Sequence, residues 1–343
     1  MRKLVFTIEN LGSDDAVNRA VFESFHKNSI TGASIVANGE AFKDAVKNVV
    51  KTCTTLDIGI NLNLSSGKAL SHKNISSLTA LDGYFDKNYL QLFMLSTNHN
   101  FLEQVEIEFK AQIERVIDSG IKPTFFASNK HIHTIPPIFN IVCKLAKEYG
   151  IPFVRTLSED FYIAPGVIRF FSTQYFCNVF KNLLFKFLNI FNLRTLKKYQ
   201  LLTNKKLIGV LYSEQMDIET VLFGINSINS SECAEVIFNA TSNKWKPHNY
   251  LEFKTLLHPD LLKEVTELNA ELTDWNEFTK SDEKEENAEA TEFSPEQSLL
   301  TNINSIIDTN ENCTIEYEEF ETIIHTETLA KILREEQAEN SNI

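Results

Sequence analysis

The sequence predicts an α/β fold: a closed or nearly closed β/α barrel-like domain with an acidic α-helical C-terminal extension. Three observations carry this. Short apolar, β-rich runs alternate with helix-spaced segments through residues 1–280, the pattern of parallel strands joined by helical crossovers. So many repeats in one domain favour a closed or nearly closed barrel over a doubly wound sheet. Finally, residues 281–343 hold 17 Asp/Glu against 3 Lys/Arg, a charge of −14 against −13 for the whole chain, so the rest is close to neutral and a boundary is marked.

The elements follow in order. Leu4–Ile8 is a first strand, and Asp15–Lys27 a helix with Val17, Ala20, Val21 and Phe25 on one face. Gly32–Asn38 is a second strand and Ala41–Thr52 a second helix. Asp57–Leu64 alternates apolar and polar residues with period two. Phe101–Ser119 is an amphipathic helix, Pro123–Ala127 a strand, and Pro137–Tyr149 a helix stopped by Gly150. Ile151–Arg155, Leu207–Tyr212 and Glu235–Phe238 are further strands.

Composition narrows the function. A chain of 343 residues, 43% hydrophobic, can bury a large core, and no run of 18 apolar residues marks a spanning helix. Leu4–Ile8 is too short for the apolar region of a signal peptide. The five cysteines are odd in number and form no CxxC pair, which argues against a disulfide framework or a structural zinc site and makes a reducing cytoplasm the expected location. An acidic balance disfavours nucleic acid as a partner.

Four asparagines, Asn10, Asn61, Asn129 and Asn239, lie at or just beyond strand C-terminal ends, where barrels place their reactive groups. Each alone is an ordinary turn residue; together they ask for another reading. Around them run Gly12 with Val17-Asn-Arg-Ala20, Thr31-Gly-Ala-Ser34, Gly59-Ile-Asn-Leu-Asn-Leu-Ser65 and Leu81-Asp-Gly-Tyr-Phe85. Further on come Ala111-Gln-Ile-Glu-Arg115, Gly120-Ile-Lys-Pro-Thr124, Ala127-Ser-Asn-Lys-His-Ile-His133 with Pro136-Pro137, Glu148-Tyr-Gly-Ile-Pro152 and Ile208-Gly-Val-Leu-Tyr-Ser213. In these segments, collinear over residues 1–278, the chain resembles the YdjC-like carbohydrate deacetylases, the group of the chitooligosaccharide and hopanoid-associated deacetylases.

The resemblance implies a barrel-like deacetylase that binds one divalent metal, magnesium or zinc, through an aspartate and two histidines, with a second aspartate as base and a late histidine as acid. Carried over by position, Glu9 takes the place of the base and Asn239 that of the acid. Asn10, Asn61 and Asn129 take the places of the three metal ligands, and Ala127 that of the aspartate preceding one metal histidine. Three neutral amides offer a divalent ion neither charge nor imidazole nitrogen, and without the metal its water and carbonyl lose their activation. Asn239 has no proton to give at neutral pH. His131, His133 and Arg155 remain as substrate-pocket candidates, Arg155 as the polar anchor, with a structural role the preferred reading of His133.

These exchanges predict a pseudoenzyme: a deacetylase scaffold without a barrel metal, kept as a sugar-binding or regulatory module with an acetylated sugar as its expected ligand. The rival is a working divalent-metal hydrolase, acting on an amino sugar or a lipid-linked sugar, with Glu9, His131 and His133 rearranged round the ion. Residues Arg169–Tyr199, rich in Phe with interleaved Lys and Arg, read as a lid or dimer arm in preference to a membrane-interface helix. After an acidic linker at 281–294, residues 295–337 have the outline of an EF-hand. Its calcium candidates are Asp308, Asn310, Asn312, Thr314, Glu316 and Glu319, with Cys313 where the turn wants glycine. The rival to calcium binding is an acidic helical hairpin serving as an interaction tail. A third reading makes this tail the working part of the chain.

Overall fold

The computed structural model describes residues 1–72, 75–164, 173–229 and 232–277. The expected linker and EF-hand-like segment therefore lie outside the described residues. Eight strands and nine α-helices follow one another along these residues: β1 (Arg2–Leu11), α1 (Asp15–His26), β2 (Gly32–Ile35), α2 (Phe42–Thr52), β3 (Asp57–Leu62), α3 (Tyr89–Leu95), α4 (His99–Asp118), β4 (Phe125–Ser128), α5 (Pro136–Tyr149), β5 (Phe153–Val154), α6 (Thr173–Tyr199), β6 (Lys206–Ile208), α7 (Ile218–Ser227), β7 (Cys233–Phe238), α8 (Pro247–Leu256), α9 (Leu261–Glu267) and β8 (Ala270–Leu272).

The sheet is parallel throughout, in the order β5-β4-β3-β2-β1-β7-β6. It is a curled half-barrel, compatible with the barrel-like reading. β1 is its central staff, covered by β7 along Lys3–Ile8 on one edge and by β2 from Thr7 on the other. β8 pairs with Arg2–Leu4, below β2. A bond from Leu207 N to Ser158 O, 2.9 Å, draws the segment after β5 towards β6. Strands with both faces covered are apolar on both, which is why Leu4, Val5, Phe6 and Ile8 are all fully buried.

Local chemistry sets the helix limits. Asp14 caps α1 by accepting from Ala16 N and Val17 N, each 2.9 Å. Asn88 and Gln91 form a reciprocal capping box on α3, and Gly150 ends α5 in a left-handed conformation, φ 68°. Gly59 is required by packing: a Cβ there would lie 2.3 Å from the Phe125 ring.

One expectation changes. The strand expected at Leu207–Tyr212 stops at Ile208, because the next three amides turn inward. Gly209, Val210 and Leu211 N–H groups donate to the buried Glu159 carboxylate at 2.8, 2.8 and 2.7 Å. The Phe-rich segment is a 27-residue helix, and Phe180, Leu183, Leu184, Phe185, Leu188 and Phe191 on it are buried within the chain. Its asparagines bind it down: Asn182 Nδ2 donates to Glu159 O at 3.1 Å and Asn192 Nδ2 to Thr134 O at 2.9 Å. Among the described residues, no helix is long and apolar enough to cross a membrane.

Candidate functional site

Alternation along the strands sends one set of side chains into the concave side of the sheet, and they stack in layers. The floor is aromatic. Phe125 stacks on Trp275 with ring centroids 4.4 Å apart, and Phe153 meets the same indole edge-on at 5.3 Å. Val5, Ala127 and Cys233 complete this cluster.

Above it lies a layer of ions. Arg155, fully buried, donates from Nη1 to Glu9 Oε1 at 2.5 Å, from Nη2 to Glu235 Oε1 at 2.5 Å and from Nε to Glu235 Oε2 at 2.7 Å. Its guanidinium also stands 5.5 Å above the Phe125 ring, a cation–π contact joining the two layers. Ser34 Oγ donates to Glu9 at 3.1 Å. Burial pushes the Glu235 carboxyl up and Arg155 draws it back, while the two glutamates hold the guanidinium protonated. Arg155 and Glu9, expected as ligand anchor and base position, thus spend their polar atoms on each other and on Glu235. A guanidinium buried at 0% exposure does not reach a ligand in this conformation.

The third layer is made of amides. Asn61 Nδ2 donates to Asn10 Oδ1 at 3.1 Å, and Asn129 Nδ2 reaches the same oxygen at 3.5 Å. Asn10 turns inward because it takes a left-handed conformation, φ 65°, which asparagine tolerates better than most residues. Asn129 begins a tight turn, Asn129–Thr134, in which Lys130 and His131 are both left-handed, φ 51° and 57°. Backbone strain of this kind, on the order of 1–3 kcal/mol per residue, gathers at functional sites. Ser65 Oγ donates to Asn129 Oδ1 at 3.3 Å, which turns the Asn129 N–H groups towards Asn10. Ser65 is itself set by Asn63, whose backbone Gln112 clamps from both sides at 2.9 and 2.7 Å.

These donors do not fit a divalent cation. The three side chains are neutral amides, so the set brings no formal charge and no imidazole nitrogen to an ion. Asn61 Oδ1 is left buried without a partner. Among the described residues, no group of three or more His, Cys, Asp or Glu gathers in a way that could hold a metal.

The remaining predicted residues fall around this centre. His133 is fully buried, accepts from Ser128 Oγ at 2.5 Å and donates from Nε2 to the Arg155 carbonyl at 3.0 Å. Burial and the neighbouring His131 depress it to about 3, so it is a neutral clasp between the ends of β4 and β5. His131 lies beneath α6 with its ring edge-on to Phe185, centroids 5.5 Å apart. Its Nδ1 is buried without a partner, and burial holds it down to about 3.

Asn239 stands apart from the other three. Its Nδ2 reaches Ser213 Oγ at 3.5 Å, its carbonyl accepts from Asn249 Nδ2 at 2.7 Å, and its backbone N–H donates to Glu252 Oε2 at 2.5 Å. Glu252, fully buried, is pushed by that burial up to about 8. Sequence reasoning missed Glu159, Glu235 and Glu252. Only Glu235 carried a signal, as the one charged residue within the apolar run Cys233–Phe238.

A curled parallel sheet with a polar cluster at its strand ends is the arrangement of β/α barrels, and comparison places the chain in a family. The YdjC-like protein family matches residues 3–268, and the chain belongs to that family. A carbohydrate deacetylase of Clostridium beijerinckii is 31% identical over 162 residues, 47% of this chain and 63% of that protein. One of Brevibacillus brevis is 33% identical over 150 residues, 44% and 58% of the two chains. The chain thus spans less than two thirds of the length of these two relatives. A solved structure from Enterococcus faecalis, provisionally described as a cellobiose-phosphate cleavage protein, has the same fold with a TM-score of 0.63 at 19% identity, covering 80% of this chain and 98% of its own.

Proposed function

We propose that this chain is a degenerate carbohydrate deacetylase, a pseudoenzyme that holds an acetylated amino sugar without cleaving it or serves as a regulatory module. The observation that carries this reading is the convergence of Asn61 and Asn129 N–H groups on Asn10 Oδ1. An ion at that place would polarise an acyl carbonyl and generate hydroxide. Amide N–H groups bind a carbonyl or hydroxyl oxygen but leave water close to its bulk acidity. The position of the acid is also neutral, and Glu9, in the position of the base, is already engaged by Arg155. The rival arrangement, Glu9, His131 and His133 round a metal, would have to break the Glu9–Arg155 pair and free a His133 whose two ring nitrogens are both bonded. The α6 helix, with Phe185 over His131, fits a lid better than a membrane-facing surface.

The test is calorimetric titration of the full chain with N-acetylglucosamine oligomers, run beside an acetate-release assay with added zinc or magnesium. Binding without acetate is the expected result. Metal-dependent acetate release by the wild-type chain would overturn the reading in favour of an active hydrolase.

A further inference from the structure

Charge is sorted along this chain. From Phe161 to Ser213 there are eight Lys/Arg and not one Asp or Glu, whereas 281–294, beyond the described residues, hold six Asp/Glu against one Lys. Much of the basic run is α6. Asp160, at its border, answers two of these cations by pairing with Lys186 and Lys206. Further along the helix, Leu193, Arg194, Lys197 and Lys198 are exposed together, at the three- and four-residue spacings that make one outward stripe. Arg194 and Lys198 stand over the rings of Phe191 and Tyr199, 6.0 and 5.9 Å from the centroids, which keeps their charges close to the helix.

The chain approaches the acidic segment beside the end of this same helix. Leu201 N donates to Leu196 O at 3.1 Å, closing α6, and Leu202 then bridges to Phe153. Leu202 packs on the cluster that holds Trp275, whose indole meets Phe153 at 5.3 Å. Thus α6 ends three residues before Leu202, and the acidic segment begins six residues after Trp275. A 27-residue helix is roughly 40 Å long. The 17 residues from Glu277 to Ser294 span up to about 58 Å when extended, so the acids can reach any part of it. One exposed ion pair is weak and screened by salt. A tethered segment, however, meets its target at an effective concentration on the order of millimolar, and several weak pairs then act together. A separate polyanion or an anionic surface would have to displace that tethered rival, and the chain's overall charge of −13 repels both. We propose that residues 281–294 fold back onto the Arg194–Lys198 stripe, an intramolecular strap that holds α6 down over His131 and Thr134. Asn192 of α6 donates to the Thr134 carbonyl and Phe185 lies on His131, so releasing the strap loosens the cover of the Asn129–Thr134 turn. This goes beyond the sugar-holding reading and stands without it.

The test is zero-length carbodiimide cross-linking of the full chain, which joins an amine to a carboxylate only where the two touch, read by peptide mass spectrometry. Isotope-labelled and unlabelled chains are mixed first, so that bonds within one chain and between copies separate by mass. Expected are links from Lys197 and Lys198 to the acids of 281–294 within one chain, reduced roughly 5-fold when salt is raised from about 0.05 M to about 0.5 M. Links to Lys43 and Lys47, exposed on α2, should be rarer. Such links absent, spread evenly over the exposed lysines, or found only between copies would overturn the strap. A second readout is hydrogen exchange along α6 in the full chain carrying Asp282→Asn with Glu283→Gln, Glu285→Gln, Glu286→Gln, Glu289→Gln and Glu292→Gln. Backbone amides in the last turns of the helix should exchange roughly 10-fold faster than in the wild type. Unchanged exchange would show that the segment does not hold α6, and would overturn the proposal as well.

Discussion

Replacing Asn10 by Asp and Asn61, Asn129 and Asn239 by His is expected to create a site at the strand ends that binds a stoichiometric zinc ion. The reason lies in the amide layer. Asn10 already points its side-chain oxygen at Asn61 and Asn129, so Asn10→Asp puts a charged oxygen at the focus, and aspartate also tolerates the left-handed backbone there. Imidazoles at 61 and 129 then offer nitrogen where N–H hydrogens now stand. A bound ion that ignores the unfolded chain raises stability by about 2.7 kcal/mol at a free concentration about 100 times Kd. The readout is a zinc-dependent rise in melting temperature, present in the quadruple variant and absent in the wild type. A folded quadruple variant with no such rise would mean that Asn10, Asn61 and Asn129 do not correspond to the family's metal ligands.

The second large effect concerns the ion layer. Arg155→Ala should destabilise the chain by about 3–5 kcal/mol, the cost of leaving a buried carboxylate partner without its counter-ion. Here two carboxylates, Glu9 and Glu235, are stranded together. Removing all three charges with Glu9→Gln, Arg155→Met and Glu235→Leu should recover much of that loss, since well-packed apolar groups often replace a buried ion cluster at little cost. Urea midpoints for the single and triple variants check both statements. A single variant as stable as the wild type would show that the guanidinium is not structural, and would return Arg155 to the ligand-anchoring role its place at a strand end suggests.

Arg155 also shows where sequence reading stops. Its position after a strand was visible, but its partners lie 146 and 80 residues away, and nothing local announces that three inward-facing charges will meet. Glu159 and Glu252 escaped for the same reason, because a glutamate that gathers backbone N–H groups of a distant turn has no periodic signature. The asparagines were legible. Strand-end placement and the spacing of the flanking motifs put Asn10, Asn61 and Asn129 at one end of the sheet, where hydrogen bonds join them. Asn239 shares that end but bonds to Ser213, Asn249 and Glu252 instead. The core strands and crossover helices declared themselves through alternation and caps. β8 and the Trp275 floor did not, since a three-residue strand carries too little pattern to be read.

The measurement that tests the central claim most directly is the metal content of the full chain purified without chelator, determined for zinc, manganese and magnesium in the wild type and in Asn129→Ala. The account predicts only trace amounts of all three, the same in both proteins. A stoichiometric ion in the wild type that disappears with Asn129→Ala would contradict it, and would mean that the amide cluster opens to form a working metal site.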